Sequence, residues 1–353
     1  MLRILLIGPL PPPIHGTTVM FQQITRELEK RHGVKICVID TSRKKSEFGC
    51  LENAVVAVRT TVKLLWFVTR VQVLTFHASA TAALGFSPVV HSISRLFKKP
   101  WVLRILGGNV DMVYKRSSRW ARAIYRKTAL AADLCLFETR LLMKYFENIC
   151  SSEPKFFWNS REMPTLKSLN EHRTVCRKFV YIGNVKYSKG LKEIIAAGEQ
   201  LSRNYIVDVF GPFQEGMSER DFDGLNIVKY RGLLHPDDVV EKLKAYDALL
   251  LPTYYEGEGY PGVILEAYAA CIPVIASNWR SIPEIVDESS GILIEPKNTQ
   301  MLLAAMKRLT SDQKFYRLLK RGVLEKRKLF SVEQRVSAFI EYCNKLISRR
   351  VKL

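Results

Sequence analysis

Hydrophobic residues along this chain occur in short, nearly continuous runs, separated by longer segments in which polar and apolar positions are mixed. The first run is LRILLIG at residues 2–8, and similar runs cover residues 34–39, 71–76 and 101–106. Runs of this length with few polar interruptions are typical of strands buried on both faces of a parallel sheet. The segments between them, such as residues 19–30, are predicted to be helices. The alternation indicates a parallel, doubly wound sheet.

A second alternation of the same kind follows a polar, poorly periodic segment at residues 155–175, which we interpret as a linker. Its predicted strands cover residues 179–183, 206–210, 227–230, 248–251, 274–276 and 291–294. Its predicted helices cover residues 191–202, 236–245 and 299–310, and a last helix is expected over residues 332–349. Two such halves are expected to hold a ligand between them, at the carboxyl ends of the strands.

The length and composition fit two domains that each have a core. The chain has 353 residues, of which 47% are hydrophobic, and two domains are the usual arrangement at this length. Every apolar run of 18 or more residues is interrupted by a charge, and the first run is too short for a signal peptide, so we predict no membrane-spanning helix. The seven cysteines are odd in number and form no C-x-x-C pair. That usage is typical of a reducing cytoplasm.

The net charge of +20 is concentrated in the first half of the chain. Residues 1–170 contain 26 Lys and Arg against 11 Asp and Glu. Such a balance predicts an anionic partner. Nucleic acid is one candidate, but no nucleic-acid-binding motif is present, so we predict no nucleic-acid partner. An anionic membrane surface or a lipid-diphosphate acceptor is the other.

Two basic stretches also carry aromatic residues. The first, at residues 54–73, contains Trp66 and Phe67, and the second, at residues 114–127, contains Trp120 and Tyr125. Basic helices with aromatic side chains can lie on an anionic bilayer. The alternative is that both are solvated helix faces with ordinary core aromatics.

The segment at residues 252–296 carries the most specific chemistry. Its sequence is PTYYEGEGYPGVILEAYAACIPVIASNWRSIPEIVDESSGILIEP, in which seven residues separate Glu258 from Glu266. The glycine-bearing turn at residues 259–262 feeds a predicted helix, whose first N–H groups can bind a phosphate. The two carboxylates can accept hydrogen bonds from sugar or ribose hydroxyls. The segment therefore predicts a nucleotide-sugar site, with these candidate donor-binding residues: Glu258, Gly259, Tyr260, Gly262, Val263, Ile264 and Glu266.

This segment resembles the E-x7-E region of the retaining glycosyltransferases of family 4, which have the two-domain GT-B fold. The resemblance includes, in order, Leu251-Pro252-Thr253, Glu258-Gly259, Leu265-Glu266-Ala267, Pro273-Val274-Ile275-Ala276-Ser277 and Pro283-Glu284-Ile285. It is strong over roughly residues 175–300 and weaker over residues 1–160. It implies an α/β protein of two doubly wound, Rossmann-like domains facing a central cleft. Residues 1–160 would form the acceptor-side domain, with residues 332–353 packing back on it, and residues 161–331 the nucleotide-sugar domain.

The resemblance also assigns a loop to the donor diphosphate. The segment YIGNVKYSKG at residues 181–190 matches the family's strand, Gly-Arg and Lys-Gly, so Gly183, Asn184 and Lys189 are expected to bind the donor. Asn184 stands where the family usually has Arg. Either Lys186 substitutes for that Arg, or Lys189 and the backbone hold the phosphates alone. In the first half, Gly16 is expected to abut the donor phosphates, unless the loop only caps the following helix.

The acceptor side is less well defined. The family often has a His at the position of Leu106, and that contact is missing here. Gly107, Gly108 and Asn109 are candidates to replace it. His15 and His77 are further acceptor-side candidates, although a lone His at a strand end is more often structural.

The implied activity is retaining, metal-independent transfer of a sugar from a nucleotide diphosphate sugar, with no cofactor, to an oligosaccharide or lipid-linked acceptor in surface polysaccharide synthesis. Glu258 would hold the sugar and Lys189 would stabilise the leaving diphosphate, while Glu266 would bind ribose hydroxyls. The D-x-D at Asp221 and Asp223 is interpreted as a loop and not a metal site. A cytoplasmic enzyme, peripheral on the inner face of the cell membrane, is expected. A nucleotide-sugar epimerase and a non-catalytic nucleotide-sugar-binding subunit are the alternatives.

Overall fold

The computed structural model describes residues 1–14, 16–43, 50–165 and 175–351, and it divides the chain into two units. Unit 1 comprises Met1–Ser160 together with Val332–Leu353, and unit 2 comprises Arg161–Ser331. Each unit is built on one six-stranded sheet, and every strand pair within the two sheets is parallel.

The sheet of unit 1 has the strand order β2-β1-β3-β4-β5-β6. Its strands are β1 (Leu2–Gly8), β2 (Val34–Asp40), β3 (Val73–Ser79), β4 (Trp101–Leu106), β5 (Leu134–Phe137) and β6 (Lys155–Phe156). Its helices are α1 (Gly16–Glu29), α2 (Cys50–Val68), α3 (Ala80–Leu96), α4 (Val110–Arg116), α5 (Arg119–Lys127), α6 (Arg140–Phe146) and α12 (Val332–Val351).

Unit 1 has a core on each side of its sheet. On one side, α2, α3 and α5 contribute buried residues such as Leu64, Val90 and Tyr125. On the other side, α1 and α12 pack together, and α12 buries Val336 and Phe339. The C-terminal helix is therefore an integral part of the first unit.

The sheet of unit 2 has the order β12-β11-β10-β7-β8-β9. Its strands are β7 (Lys178–Ile182), β8 (Ile206–Phe210), β9 (Val228–Tyr230), β10 (Ala248–Leu251), β11 (Val274–Ser277) and β12 (Gly291–Ile294). Its helices are α7 (Leu191–Gly198), α8 (Val239–Leu243), α9 (Gly262–Ala269), α10 (Thr299–Ser311) and α11 (Gln313–Lys326).

The predicted fold class, two doubly wound parallel-sheet domains, is confirmed, with local corrections. The strands β5 and β6 were not predicted, and β6 lies at the start of the expected linker, much of which (166–174) lies outside the described residues. The strand β3 extends to Ser79 and so includes His77. The helix expected over residues 236–245 is a 3₁₀ turn at Pro236–Asp238 followed by the short helix α8.

The strand order of unit 2 creates one switch point, between β7 and β10. From β7 the chain adds β8 and β9 on one side, and from β10 it adds β11 and β12 on the other. Connections therefore leave β7 and β10 in opposite directions, and ligands of open α/β sheets bind in the crevice that this leaves. In unit 1 the equivalent point lies between β1 and β3.

The loops that follow β7 and β10 are joined by close backbone contact. Gly190, which precedes α7, has φ 80° and ψ 25°. A Cβ atom there would lie 2.3 Å from the carbonyl oxygen of Pro252. The N–H of Tyr254 also donates to the carbonyl oxygen of Ser188 at 2.9 Å. Only glycine fits at position 190, because both its left-handed backbone and its lack of Cβ are needed.

We predict that Gly190→Ala lowers the free energy of unfolding of unit 2 by more than about 2 kcal/mol, since a left-handed alanine costs roughly 1–2 kcal/mol and the loops must also separate. Gly224, also in unit 2, is the matched control: its φ is 73°, but no atom lies within 4 Å of a Cβ there. Gly224→Ala should show the conformational cost alone. Denaturant titration of both variants measures the difference, and equal losses would contradict the role given to the Pro252 contact.

Candidate functional site

The residues predicted in unit 2 gather at the C-terminal edge of its sheet. Strand β7 ends at Ile182 and leads into the loop of residues 183–190, and β10 ends at Leu251 and leads into the loop of residues 252–261. The second loop passes into α9, whose N-cap residue, Pro261, makes no side-chain capping hydrogen bond. The first N–H groups of a helix have no partner within the helix, so this end of α9 suits an anion.

An ion pair joins the two loops. Lys189 Nζ donates to Glu258 Oε2 at 2.5 Å, and Thr253 Oγ1 donates to the same oxygen at 2.8 Å. The side chains are largely buried, at 15% exposure for Lys189 and 8% for Glu258. Because low exposure strengthens charge-assisted hydrogen bonds, this pair holds both side chains in place.

Lys186 is engaged elsewhere. Its Nζ lies 3.1 Å from Glu215 Oε1 and 3.7 Å from the ring centroid of Tyr255. Glu215 also accepts hydrogen bonds from the backbone N–H and the hydroxyl of Ser188. Burial alone would raise the pKa of Glu215, but the hydrogen bonds from Lys186 and Ser188 outweigh it and lower that pKa. Lys186 thus braces the loop, and Lys189 is the lysine paired with the Glu258 carboxylate.

Tyr181 supports the loop from below. Its ring is fully buried, and its hydroxyl donates to the carbonyl oxygen of Asn184 at 2.6 Å. Burial, and then the charge of Glu258, raise the pKa of Tyr181 well above its ordinary value, so the hydroxyl remains a donor at neutral pH. The N–H of Gly183 donates to the carbonyl oxygen of Phe210 at 3.1 Å. These bonds fix the backbone at Gly183 and Asn184 even though position 184 has no arginine.

Glu266 is paired with an arginine that the sequence did not indicate. Arg161 Nε donates to Glu266 Oε1 at 2.8 Å, and the exposures are 5% for the Arg161 side chain and 15% for that of Glu266. One oxygen of Glu266 is therefore held by the protein, and the binding of ribose hydroxyls by Glu266 stays a prediction. A Cβ at Gly262 would lie 1.8 Å from Arg161 Nη2, so the guanidinium also covers the first residue of α9.

Two side chains that follow β11 hold the loop before α9 by hydrogen bonds to its backbone. Ser281 Oγ donates to the carbonyl oxygen of Gly259 at 2.5 Å, and Trp279 Nε1 donates to that of Tyr255 at 2.9 Å. The side chains of Tyr260 and Ile264 are buried in the core of unit 2. Because the side chains of these two predicted donor-binding residues are buried, only their backbone groups can face a ligand. Gly262 and Val263, which begin α9, are half-buried.

A cavity of about 720 Å³ opens at the same edge of the sheet. Its walls come from the loops after β7, β8, β10, β11 and β12, next along the chain to Lys189 and Glu258. The lining residues are Ser188, Glu215, Tyr254, Tyr255, Glu256, Trp279, Glu295, Pro296 and Lys297. A mixture of aromatic rings, carboxylates and a lysine suits a polar, hydroxyl-rich molecule.

Gly16, the donor-binding candidate of unit 1, begins α1, and no atom lies within 4 Å of a Cβ there, so a ligand can approach its backbone. The acceptor-side candidates also lie in unit 1. Gly107, Gly108 and Asn109 form the turn between β4 and α4 at the carboxyl end of the sheet. His15 lies outside the described residues.

His77 is corrected from a surface contact to a core residue. It is completely buried within β3, between the rings of Phe21 and Phe339, with Nε2 3.2 Å from Thr75 Oγ1. Burial, and then the charge of Arg104, lower the pKa of His77 well below its ordinary value. It is therefore a neutral packing residue and cannot line an acceptor site.

Asp221 has a structural role. Its Oδ2 accepts a hydrogen bond from the N–H of Ser218 at 2.7 Å and forms a capping box at the 3₁₀ turn of Glu219–Phe222. Among the residues that the structure describes, no group of three or more His, Cys, Asp and Glu side chains is arranged to hold a metal ion.

Three residues that support the site were not assigned from the sequence. Thr253 belongs to the motif Leu251-Pro252-Thr253, so its position in that motif could have marked it as a site residue. Tyr181 could be noticed only as a polar-tipped residue in a buried strand. Arg161 gave no signal at all, because its partner is 105 residues away in the chain.

Comparison with known proteins supports this description. Residues 167–324 match the family model described as glycosyl transferases group 1. TuaC of Bacillus subtilis, whose name assigns it as a glycosyltransferase to teichuronic acid biosynthesis, is 24% identical over 235 residues, which are 63% of this chain and 58% of TuaC. The chain thus spans less than two thirds of that relative's length.

Two solved structures share the fold over almost the whole chain. Sucrose-phosphate synthase from Thermosynechococcus elongatus has a TM-score of 0.77 at 15% identity, covering 99% of this chain and 100% of that one. HepE from Anabaena in complex with UDP has a TM-score of 0.74 at 15% identity, with coverage of 98% and 100%. These likenesses agree with two Rossmann-like domains. Residues 167–324, which make up most of unit 2, are thus similar to the glycosyl transferases of group 1.

Proposed function

We propose that the protein transfers a sugar, with retention of anomeric configuration and without a metal or other cofactor, from a nucleotide diphosphate sugar to a lipid-linked saccharide. The observation that carries the proposal is the Lys189–Glu258 pair at the switch point of a group 1 glycosyl transferase domain. It combines a cation for the diphosphate with a carboxylate for the sugar. The UDP bound by HepE supports a nucleotide as the ligand.

The proposed chemistry begins with exchange of partners at Lys189. The donor diphosphate competes for Lys189 Nζ, which now donates to Glu258, and the N–H groups at the start of α9 bind the phosphates. Glu258 Oε2 is then released to accept hydrogen bonds from the sugar, while Thr253 keeps its carboxylate oriented. Cations and helix ends placed where charge develops are a large source of rate enhancement.

Departure of the nucleoside diphosphate leaves an oxocarbenium-like sugar, and the acceptor hydroxyl attacks it from the same face. The bond from the anomeric carbon to the diphosphate oxygen breaks, a bond to the acceptor oxygen forms, and the proton of the acceptor hydroxyl passes to the departing diphosphate. In the proposed complex, Glu258 accepts hydrogen bonds from the sugar, and no side chain of the site is assigned as a nucleophile. We therefore propose no covalent enzyme intermediate.

The surface of unit 1 supports a lipid-borne acceptor at the inner face of the cell membrane. One face of α2 exposes Val55, Val58, Val62, Leu65 and Trp66. Helix α3 packs against α2 and against α5; α3 exposes Leu96, and α5 exposes Trp120 and Ile124. Exposed basic residues such as Arg59, Lys63 and Arg119 stand near these residues in the chain. Apolar side chains among basic ones bind an anionic bilayer.

Two of the aromatics that were expected on this surface are core residues. Tyr125 is buried, and Phe67 packs against the core of unit 1. The exposed valines of α2 replace them as candidate membrane contacts. Among the described residues, no helix is both long enough and apolar enough to cross a bilayer.

Incubation with a panel of nucleotide diphosphate sugars and a crude lipid-linked acceptor fraction tests the proposal. We expect slow hydrolysis of one donor, faster consumption with the acceptor, the donor's anomeric configuration in the product by NMR, and no effect of EDTA. Return of an isomeric donor would indicate an epimerase. Binding of a donor without turnover would indicate a non-catalytic subunit. A product with inverted anomeric configuration, or an activity that EDTA removes and magnesium restores, would contradict the proposed mechanism.

We predict that Glu258→Gln raises the affinity for the nucleoside diphosphate product several-fold and lowers turnover by about 10²-fold or more. The amide leaves Lys189 without its carboxylate competitor but no longer holds the sugar with a charged acceptor. Calorimetric titration and initial rates measure the two effects. Asp287→Asn is the matched control, since Asp287 pairs with Lys326 near the amino end of β12, and the affinity of this variant for the product should stay unchanged. Weaker product binding in Glu258→Gln would contradict the proposed competition.

We predict that replacing Lys189 lowers turnover more than replacing Lys186 does. Lys189→Met should lower turnover by about 10²-fold or more, because it removes a cation from the charge that develops on the leaving diphosphate. Lys186→Met should have a milder effect on turnover, because Lys186 braces Glu215 and Tyr255. Initial rates with saturating donor give the comparison. A larger loss in Lys186→Met would show that the diphosphate is held by the other lysine.

We predict that the protein binds vesicles containing anionic lipid and that salt weakens the binding, since the field of the surface fades over about 8 Å at physiological salt. Replacing Arg119, Arg122 and Arg126 of α5 with Glu should release it while donor hydrolysis continues. The control with the same change of charge replaces Lys314, Arg317 and Arg321, which are exposed on α11 of unit 2. Equal release by both triple variants, or equal binding to neutral vesicles, would contradict the assignment to unit 1.

A further inference from the structure

We infer that Arg161 is a positioning residue that sets the preference of the site for ribonucleotides by holding the carboxylate of Glu266. This inference rests on the proposed function, because it concerns recognition of the nucleotide's ribose at the same site. Arg161 precedes the matched residues 167–324.

The guanidinium of Arg161 lies along one side of α9. Its Nε donates to Glu266 Oε1 at 2.8 Å, and its Nη2 lies so near Gly262 that a Cβ there would be 1.8 Å from it. Gly262 and Glu266 are four residues apart, so they are neighbours on the helix surface. The planar guanidinium therefore spans the first turn of α9 and sets the orientation of the carboxylate.

The backbone of Arg161 is anchored as well. Its N–H donates to the carbonyl oxygen of Phe330 at 2.9 Å, and it forms a parallel bridge with Ser331. Phe330 packs against the rings of Tyr260, which precedes α9, and Tyr268, which lies within α9. Main chain and side chain of Arg161 are thus both tied to the segment that begins with the turn at residue 259.

The arrangement is unfavourable for stability alone. A cation beside the first turn of a helix faces the positive end of the helix dipole. Burying an ion pair also returns little net stability, because both charges lose water. Local costs of this kind are typical of functional sites. The exposed fraction of the side chain differs between the partners: it is 5% for Arg161 and 15% for Glu266. The open part of the pair is the carboxylate, which accepts hydrogen bonds from hydroxyl groups.

The chemistry of the ligand follows from this asymmetry. A carboxylate with one oxygen held by Arg161 presents its remaining acceptor capacity in a fixed direction, which suits the vicinal hydroxyls of ribose. Hydrogen bonds to charged groups are stronger than those between neutral groups. Lysine cannot reproduce this geometry, because an ammonium has no plane with which to orient the carboxylate.

The test compares the binding of a nucleoside diphosphate with that of its 2′,3′-dideoxy counterpart by calorimetric titration. The wild-type protein should prefer the ribonucleotide by about tenfold or more. Arg161→Met should reduce this preference to within about threefold of unity, and Arg161→Lys should give an intermediate value. Glu266→Gln should remove the preference too, and the double variant Arg161→Met with Glu266→Gln should lose nothing further.

Lys326→Gln is the matched control. Lys326 pairs with Asp287 at 2.5 Å, near the amino end of β12 and so at the opposite edge of the sheet, and the ribose preference should remain at the wild-type value. If Arg161→Met keeps the wild-type ribose preference, or if it weakens the binding of both nucleotides equally, the inference about Arg161 is overturned while the proposed function is not. Absence of any ribose preference in the wild-type protein overturns the proposed role of Glu266 and this inference with it. Thermal melting and Arg161→Lys, which keeps the charge, identify losses caused by misfolding.

Discussion

Gly190 lies against the carbonyl oxygen of Pro252, and the architecture of the candidate site depends on this contact. The two residues belong to loops that follow neighbouring strands at the switch point of the second sheet. Their close approach brings the loop that carries Lys189 against the loop that carries Glu258. A side chain at position 190 would separate the loops, and the ion pair between them requires a distance of about 3 Å.

Each of the two carboxylates of the E-x7-E segment has its own cation, Lys189 for Glu258 and Arg161 for Glu266. Both pairs are largely buried, so each charge is compensated by its partner rather than by water. In the proposed function, the diphosphate of the donor replaces Glu258 at Lys189.

Most of the fold could be predicted from the sequence, because buried parallel strands appear as continuous apolar runs. Residues 248–251 and 291–294 were predicted with the bounds that the structure shows. The strands β5 and β6 were missed because four and two residues are too few for a periodic signal. His77 was misplaced because the chain gives no sign that β3 continues through Ser79.

The residues of the site could be located but their partners could not. Glu258, Glu266 and Lys189 stand in motifs with a fixed spacing, so their positions follow from the resemblance. Their pairing depends on contacts over 69 and 105 residues of chain, which no local pattern records. The same limit applies to the α2 surface, where helical spacing of valines looks like a core face until the structure shows it exposed.

A crystal structure of the protein with a bound nucleoside diphosphate tests the central claim, that the ion pair at the switch point gives way to a diphosphate. We expect phosphate oxygens within hydrogen-bond distance of Lys189 Nζ and of the N–H groups at the start of α9, with Glu258 Oε2 released from the lysine. A diphosphate bound elsewhere in the chain, with Lys189 still donating to Glu258, would contradict it.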